Sequence, residues 1–324
     1  MSQASAPGLV YLSGDQALFR TGTAVAATIN KRILISVETL SRGDNKIRVS
    51  SKNKELLLRY ERRRIIVERG GLLAKRVLRP VIISALKTME FLKNNNQLEI
   101  NVISDVPISA FPSTSLSIAT VMAVTQSLGS KLEREFIWKV VFDSERSIRK
   151  SPSTFEIMLF ITGGLAVFKI GEKPIFIKPK EDLLFLIALS SKRYSLLNSP
   201  EVILRPFLNN VSEYVNDVTR GMNWVSANIY NALEQGNLER VGMLMSLAHS
   251  LIRALGATTT KIDELVSASI KSGALGAKVT WINGGLVVAL TDETTIKKVH
   301  KSLLKRSNFT FDAKLDFTGA KIET

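Results

Sequence analysis

The 324-residue chain has no cysteine. This absence excludes a disulfide scaffold, a thiolate metal site and a cysteine nucleophile together. Histidine is nearly missing too: His249 and His300 are the only two, far apart in sequence, so no histidine-rich metal motif can be drawn. No stretch of about 18 uninterrupted apolar residues occurs, and residues 1–7 have neither a basic region nor an apolar core of the kind that directs export. The expectation is a cytoplasmic protein with no membrane partner. The lack of cysteine beside 23% charged residues also suits a thermophile. There is no internal repeat and no low-complexity segment. Negative charge is in short supply, with 29 Asp and Glu against 44 Lys and Arg, a net charge of +15. Such a surplus favours anionic partners, either phosphorylated metabolites or nucleic acid. It is concentrated in residues 52–79, where Lys52, Lys54, Arg59, Arg62, Arg63, Arg64, Arg69, Lys75, Arg76 and Arg79 face only Glu55, Glu61 and Glu68. With Tyr60 the one aromatic residue there, platforms for base stacking are not indicated. The stretch reads as a solvated face, with an anion or RNA contact as the alternative.

Glycine is absent from one place where it would matter. Residues 105–119, Asp-Val-Pro-Ile-Ser-Ala-Phe-Pro-Ser-Thr-Ser-Leu-Ser-Ile-Ala, join an expected strand at 98–104 to an expected helix beginning near Ser113. A strand, a tight turn and a helix N-terminus can form an anion cradle, because the first helical turn presents unpaired N–H groups and the positive end of the dipole. Phosphate cradles usually rely on glycine so that backbone N–H groups can close on the ligand. This loop has none.

Residues 5–13 and 24–38 read as strands around a polar turn at 14–22, and 46–51, 55–60 and 64–68 as short strands. A helix is expected from Gly70-Gly71 to about Asn94, and another over 133–148. Residues 155–169 carry Gly163-Gly164 between two apolar runs and read as two strands and a turn. A short strand at 173–179 leads to a boundary near 178–182. The second half opens with a strand at 182–190. Four helices follow at 200–219, 222–235, 238–255 and 261–271, divided by Arg220-Gly221, Gly236 and Gly256. The chain then reads strand (277–281), strand (286–291), helix (293–305), strand (308–317). The class is α+β in two domains, residues 1–180 and 181–324.

Several of these pieces together resemble the GHMP small-molecule kinases, and the mevalonate kinases most closely. Residues 5–17, SAPGLVYLSGDQA, are similar to that family's opening SAPGKVILFGEHA. Ser144-Glu145-Arg146, Pro152-Ser153-Thr154-Phe155-Glu156 and Gly163-Gly164 follow the family's GER…PSGxD…GG without a gap. Val241-Gly242-Met243-Leu244-Met245 with His249, then Lys261 to Val266, then Gly276-Ala277-Lys278-Val279-Thr280 and Gly284-Gly285 resemble its LGxLMxxNH…KLDxLV…GAKLTGAGGGG. The loop at 105–119 falls where the family carries its phosphate loop, P-x-G-x-GLGSSAA. The resemblance covers nearly the whole chain in order. It implies the two-domain GHMP kinase fold with a ferredoxin-like C-terminal domain. The implied ligands are ATP with Mg2+ on the loop and helix, mevalonate or a phosphorylated derivative as the small anionic partner, and a homodimer.

Carried over residue by residue, the resemblance puts Ser115 and Glu145 on the magnesium-binding positions. Ser113, Thr114, Ser115 and Lys278 fall on the nucleotide-binding segments, and Glu156 on the catalytic aspartate, one methylene longer. Leu9 replaces the catalytic lysine, and leucine can neither neutralise charge nor donate a hydrogen bond. Asp15-Gln16 replaces a Glu-His pair, Phe111 and Ser113 replace loop glycines, and Trp281, Ile282 and Asn283 stand in the third, glycine-rich motif. Phosphoryl transfer depends on positioning and charge neutralisation, so these changes concentrate where ATP would be handled. Arg20, Lys31 and Lys192 are the candidate replacement cations.

Each assignment has a structural alternative. Ser115 could be a helix cap, and Glu145 a surface ion pair with Arg146 and Arg149. Glu156, in an apolar run, could be a buried carboxylate partnered by Arg149 or Lys150. His249 reads as a packed helix residue, Lys278 as a solvent residue at a strand start and Trp281 as filler. Three functions remain open. One is an ATP-dependent mevalonate kinase of the isoprenoid pathway with Glu156 as base. Another is a GHMP paralogue without kinase activity, binding an anion, an RNA or a protein partner. The narrowest is an ATP-independent enzyme acting on phosphorylated mevalonate.

Overall fold

The computed structural model describes residues 1–15, 22–42, 46–52, 54–61, 64–149, 152–190, 212–280 and 285–323. The fold is α+β, as expected, in two compact units that are both discontinuous in sequence. One comprises Met1–Gly8, Lys31–Gly163 and Thr318–Thr324, the other Leu9–Asn30 and Gly164–Phe317. Two long strands, β1 (Ser2–Ser13) and β2 (Thr23–Arg42), contribute residues to both.

In the first unit these strands are joined by β3 (Lys46–Ser51), β4 (Lys54–Glu61), β5 (Arg64–Arg69), β6 (Asn96–Ile103) and β13 (Lys321–Glu323). The strand order is β13-β1-β2-β6-β3-β4-β5. Strand β3 runs parallel to β6, while β3, β4 and β5 form an antiparallel meander. Alternation explains the layer: Ile47, Val49 and Ser51 are buried while the residues between them are not. Helix α1 (Leu72–Phe91) packs on β3 and β4 and buries Leu78, Val81, Ile82, Ala85 and Met89. The other helices of this unit are α2 (Ser113–Ser127), α3 (Arg134–Ile148) and α4 (Thr154–Thr162). Helix α2 is not amphipathic, because every residue from Thr114 to Thr125 is buried. Its hydroxyls must therefore find partners inside the protein, and this requirement builds the site described below.

The second unit holds β7 (Leu165–Lys169), β8 (Ile175–Ile177), β9 (Leu184–Leu189), β10 (Gly276–Thr280), β11 (Leu286–Thr291) and β12 (Thr310–Ala313). Its described helices are α5 (Ser212–Gln235), α6 (Leu238–Ala254), α7 (Thr260–Lys271) and α8 (Ile296–Leu304). An antiparallel sheet runs β10-β11-β9-β12, and residues Thr23 to Ala27 of β2 pair with β7. Helix α6 lies against β10 with backbone touching backbone. A Cβ on Gly276 would come 1.8 Å from the Gly242 carbonyl oxygen, and one on Gly242 would come 2.3 Å from that of Leu275.

Three readings of the sequence are corrected. The apolar run 155–161 is helix α4, not a strand. Its start is fixed by Ser153, whose Oγ accepts from the Glu156 N–H at 3.2 Å, and short apolar runs carry no decisive period. Arg220-Gly221 does not divide two helices, since α5 passes through it. A glycine there costs about 1 kcal/mol relative to alanine, which the packing of a 24-residue helix outweighs. The last strand expected at 308–317 is shorter, with β12 ending at Ala313, and a further strand, β13, closes the chain. Residues 200–211 of the first expected helix of the second half lie outside the described residues.

Candidate active site

Three helices of the first unit bring polar groups to one point. Ser113, Thr114 and Ser117 stand on the first turns of α2, Glu145 and Arg149 one turn apart at the end of α3, and Glu156 in the first turn of α4. The Glu145 side chain has no exposed surface. Its Oε2 accepts from Ser113 Oγ at 2.8 Å, its Oε1 from Ser117 Oγ at 2.7 Å, and the Arg149 Nε lies 2.8 Å from Oε2. Thr114 Oγ1 stands 3.3 Å from Glu145 Oε2 and 2.9 Å from Glu156 Oε2. A hydroxyl has one proton, and the shorter contact places it on Glu156. Arg149 Nη2 donates to both Thr114 Oγ1 at 2.7 Å and Glu156 Oε2 at 2.6 Å. One guanidinium thus lies between two carboxylates, paired in charge with Glu145 through Nε and hydrogen-bonded to Glu156 through Nη2.

The structure brings Ser113, Thr114, Glu145 and Glu156 together as the sequence suggested, but separates Ser115 from them. Ser115 Oγ donates to the Pro7 carbonyl at 2.7 Å. Nor is Ser115 the cap of α2, since Pro112 holds that position and offers no side-chain bond. Glu145 is not a surface ion pair either: it is buried, and Arg146 turns instead to Asp143 at 3.6 Å. Of the two partners considered for Glu156, Arg149 is the one found, while Lys150 lies outside the described residues. Ser117 was missed. The available signal was the serine pair Ser113 and Ser117 at i and i+4, which puts both on one face of the helix.

The loop before α2 satisfies itself. Residues Ile108–Ala110 form a single 3-10 turn, the Ala110 N–H donating to Pro107 at 2.8 Å and the Phe111 N–H to Ile108 at 3.0 Å. Phe111 and Pro112 are extended (φ −100° and −67°), so nothing here calls for glycine, and the Phe111 side chain is 1% exposed.

In the second unit, Leu9 on β1 is 1% exposed. Lys278 on β10 is wholly buried, which corrects its reading as a solvent residue. Its Nζ lies 3.2 Å from Asp15 Oδ1 and donates to the Tyr11 carbonyl at 3.2 Å. Burial pushes the Lys278 pKa down, and the Asp15 charge opposes it. Buried His249 on α6 faces Asp263 of α7 at 3.2 Å, and Asp263 also meets Arg253 at 3.3 Å. Burial lowers the His249 pKa against the pull of Asp263. Among the proposed replacement cations Lys31 is described, whereas Arg20 and Lys192 are not, and Trp281, Ile282 and Asn283 are also outside the described residues. Among the described residues no group of three or more acidic or histidine side chains forms a metal cluster, and no helix is long and apolar enough to cross a membrane.

The residues that the resemblance assigned to magnesium do not fit that ion as they are arranged. The Ser115 hydroxyl is committed to a backbone carbonyl, and the Glu145 oxygens are taken by hydroxyl donors and a guanidinium. A triphosphate fits the loop no better, because the 3-10 turn uses two of its N–H groups and a buried phenyl ring occupies the glycine position.

Residues 229–307 match the family model described as GHMP kinases C terminal. Over the whole chain, mevalonate kinase of Aeropyrum pernix is 26% identical across 330 aligned residues, covering 99% of this chain and 98% of the relative. That of Pyrococcus furiosus is 29% identical, covering 87% and 86%. The fold is shared with the Methanococcus jannaschii mevalonate kinase (TM-score 0.76, 21% identity, 97% and 98% coverage). It is shared also with the L. major mevalonate kinase solved with R-mevalonate (TM-score 0.79, 18% identity, 98% and 97%). ATP use, with Mg2+ typical, is what that family implies. In its motifs, its relatives and its fold alike, the chain is similar to the GHMP kinases and is mevalonate kinase-like.

Proposed function

We propose that this protein is a GHMP-fold binding protein that does not transfer phosphate. Its ligand is a small anionic hydroxy acid of the mevalonate type, or a phosphorylated derivative. The observation that carries the reading is Arg149 lying across Glu145 and Glu156. Both carboxylates that a kinase of this family would turn on a metal and an acceptor hydroxyl are here paired with one guanidinium of the protein itself. The same direction is supported by Leu9, which offers no charge where the family has a lysine, and by the closed loop around Phe111. The ligand class is supported by the L. major relative, which was crystallised in complex with R-mevalonate, and by the net charge of +15.

With Glu145 and Glu156 both paired to Arg149, the chain's residues would bind and orient an anion rather than activate a hydroxyl. Glu156 Oε2 accepts from Thr114 and Arg149. Thermal shift and a coupled assay test this. A ligand present at 100 times its Kd stabilises by about 2.7 kcal/mol. Mevalonate or its phosphate is expected to raise the melting temperature and Mg-ATP to leave it unchanged, with no ADP formed. Turnover of mevalonate that is lost in Glu156→Ala would overturn the proposal and restore the kinase reading.

A further inference from the structure

We propose that the β7–β8 hairpin docks on an anionic lipid surface, seating apolar side chains among the headgroups while its lysines meet their charge. The two strands pair over three residues, Leu165 with Ile177, Ala166 with Phe176 and Val167 with Ile175. Among the described residues β8 has no partner strand on its other side. Ile177 is buried, but Ile175 is 53% exposed and Phe176 47%, and Ile170 beside the turn is exposed as well. Neighbours along a strand point to opposite faces, so the hairpin offers apolar surface on both of its sides. A Cβ on Gly171 in the turn would meet nothing within 4 Å among the described residues, so the tip stands in the open. Exposed apolar side chains gathered in this way mark a contact surface.

Charge selects the occupant. From Lys169 to Lys180 four lysines stand against one acid, Glu172, and Lys169 pairs with that acid at 2.5 Å. Lys173, Lys178 and Lys180 are exposed, and among the described residues they have no acidic partner. Lysine interspersed with exposed isoleucine and phenylalanine is the composition of segments that lie in a membrane interface, where anionic headgroups attract each lysine. A second copy of this chain would instead set the same lysines against one another. A partner strand would find only three residues to pair with, because Pro174 and Pro179 flank β8. A rigid groove would cover one side of the hairpin and leave the other wet, whereas fluid headgroups cover both. The expectation of no membrane partner rested on the lack of a spanning segment, which a surface contact does not use.

Co-sedimentation of the full chain with vesicles tests the proposal, using phosphatidylcholine alone and equal parts phosphatidylcholine and phosphatidylserine. The chain should bind the mixed vesicles, leave phosphatidylcholine largely unbound, and be released as salt approaches 1 M, where the screening length falls to about 3 Å. Lys178→Gln with Lys180→Gln should weaken binding about 30-fold, at about fivefold for each lysine near a charged surface. Ile175→Ser with Phe176→Ser should weaken it about tenfold or more, because the apolar transfer from water is lost. Lys297→Gln with Lys298→Gln removes the same charge from exposed positions on α8 and should bind like the wild type. Failure to bind the mixed vesicles would overturn the proposal, and so would an α8 variant that loses as much as the hairpin lysine variant. Full binding by the Ile175→Ser, Phe176→Ser variant would leave attraction without insertion and overturn it too. Gel filtration reads the rival occupant: a dimer that this variant splits would assign the hairpin to a second copy and overturn the lipid assignment.

Discussion

Phe111 offers the sharpest test of how the loop before α2 is built. If its ring is packed filler at a position where the family has glycine, then Phe111→Ala removes a side chain that is 1% exposed and leaves a cavity. Truncating a buried phenylalanine costs about 3–5 kcal/mol. Urea unfolding followed by far-ultraviolet circular dichroism reads the loss as a lower midpoint at unchanged slope. A surface side chain would change stability by no more than about 0.5 kcal/mol, so the two cases are well separated. Phe111→Gly supplies the functional half. Removing the ring does not free the Ala110 and Phe111 N–H groups, which the 3-10 turn holds at 2.8 and 3.0 Å, so the variant should be as unresponsive to Mg-ATP as the wild type. A loss under about 1 kcal/mol, or a glycine variant that Mg-ATP stabilises, would show that Phe111 swings clear of the loop and would refute this account.

Lys278→Met should destabilise by about 3–5 kcal/mol because it removes one partner of a buried ion pair; the double variant with Asp15→Asn should lose less than the two single losses combined. Acid should weaken the fold through His249: its folded pKa is lowered by burial, so below about pH 6.5 the unfolded chain takes the proton first. Stability then falls as pH drops through that window, and a pH series of melting temperatures should be flatter there in His249→Asn. Gly242→Ala should be among the most damaging single-methyl changes, since its Cβ would meet the Leu275 carbonyl at 2.3 Å; a melting temperature within a degree of wild type would mean that α6 can lift off β10.

What the sequence made legible was what depends on period and on motif. Strands β3, β4 and β5 and helices α1, α3, α6 and α7 fall within a few residues of their expected bounds, because each alternates or repeats apolar residues on one face; β11, buried at all six residues, was legible as a short apolar run between turn signals. The errors came where pattern is weak. Helix α4 is nine residues, most of them apolar, so both periods suit it, and only the Ser153 cap distinguishes them. Strand β13 has three residues, and its pairing with the start of β1 is set by Ser5 and Arg32. Ser5 Oγ donates to Glu323 at 2.5 Å, and Arg32 Nη2 donates to Gly319 at 2.6 Å. Those contacts join the two ends of the chain and leave no local signature.

The candidate site divides in the same way. Motif order placed Ser113, Thr114, Glu145 and Glu156 near one another, because the strands and helices that carry them are kept. It misplaced Ser115, since whether a serine on the first turn of α2 faces α3 or β1 depends on helix rotation, and one step of about 100° is the whole difference. It also could not rank Arg149 above Lys150. Helix spacing supplies the missing argument: Glu145 to Arg149 is i to i+4, which puts both on one face of α3. Thr154 and Glu156 then stand where a glycine and an aspartate would serve a kinase. The extra methylene of Glu156 adds about a bond length of reach, enough to bring a carboxylate on α4 to the Arg149 guanidinium. The groups around this site therefore answer one another. The Glu156 acid, an arginine four residues after Glu145 and hydroxyls at Ser113, Thr114 and Ser117 make one network of hydrogen bonds and ion pairs, and each member finds its partner on a different helix or a different turn of the same one.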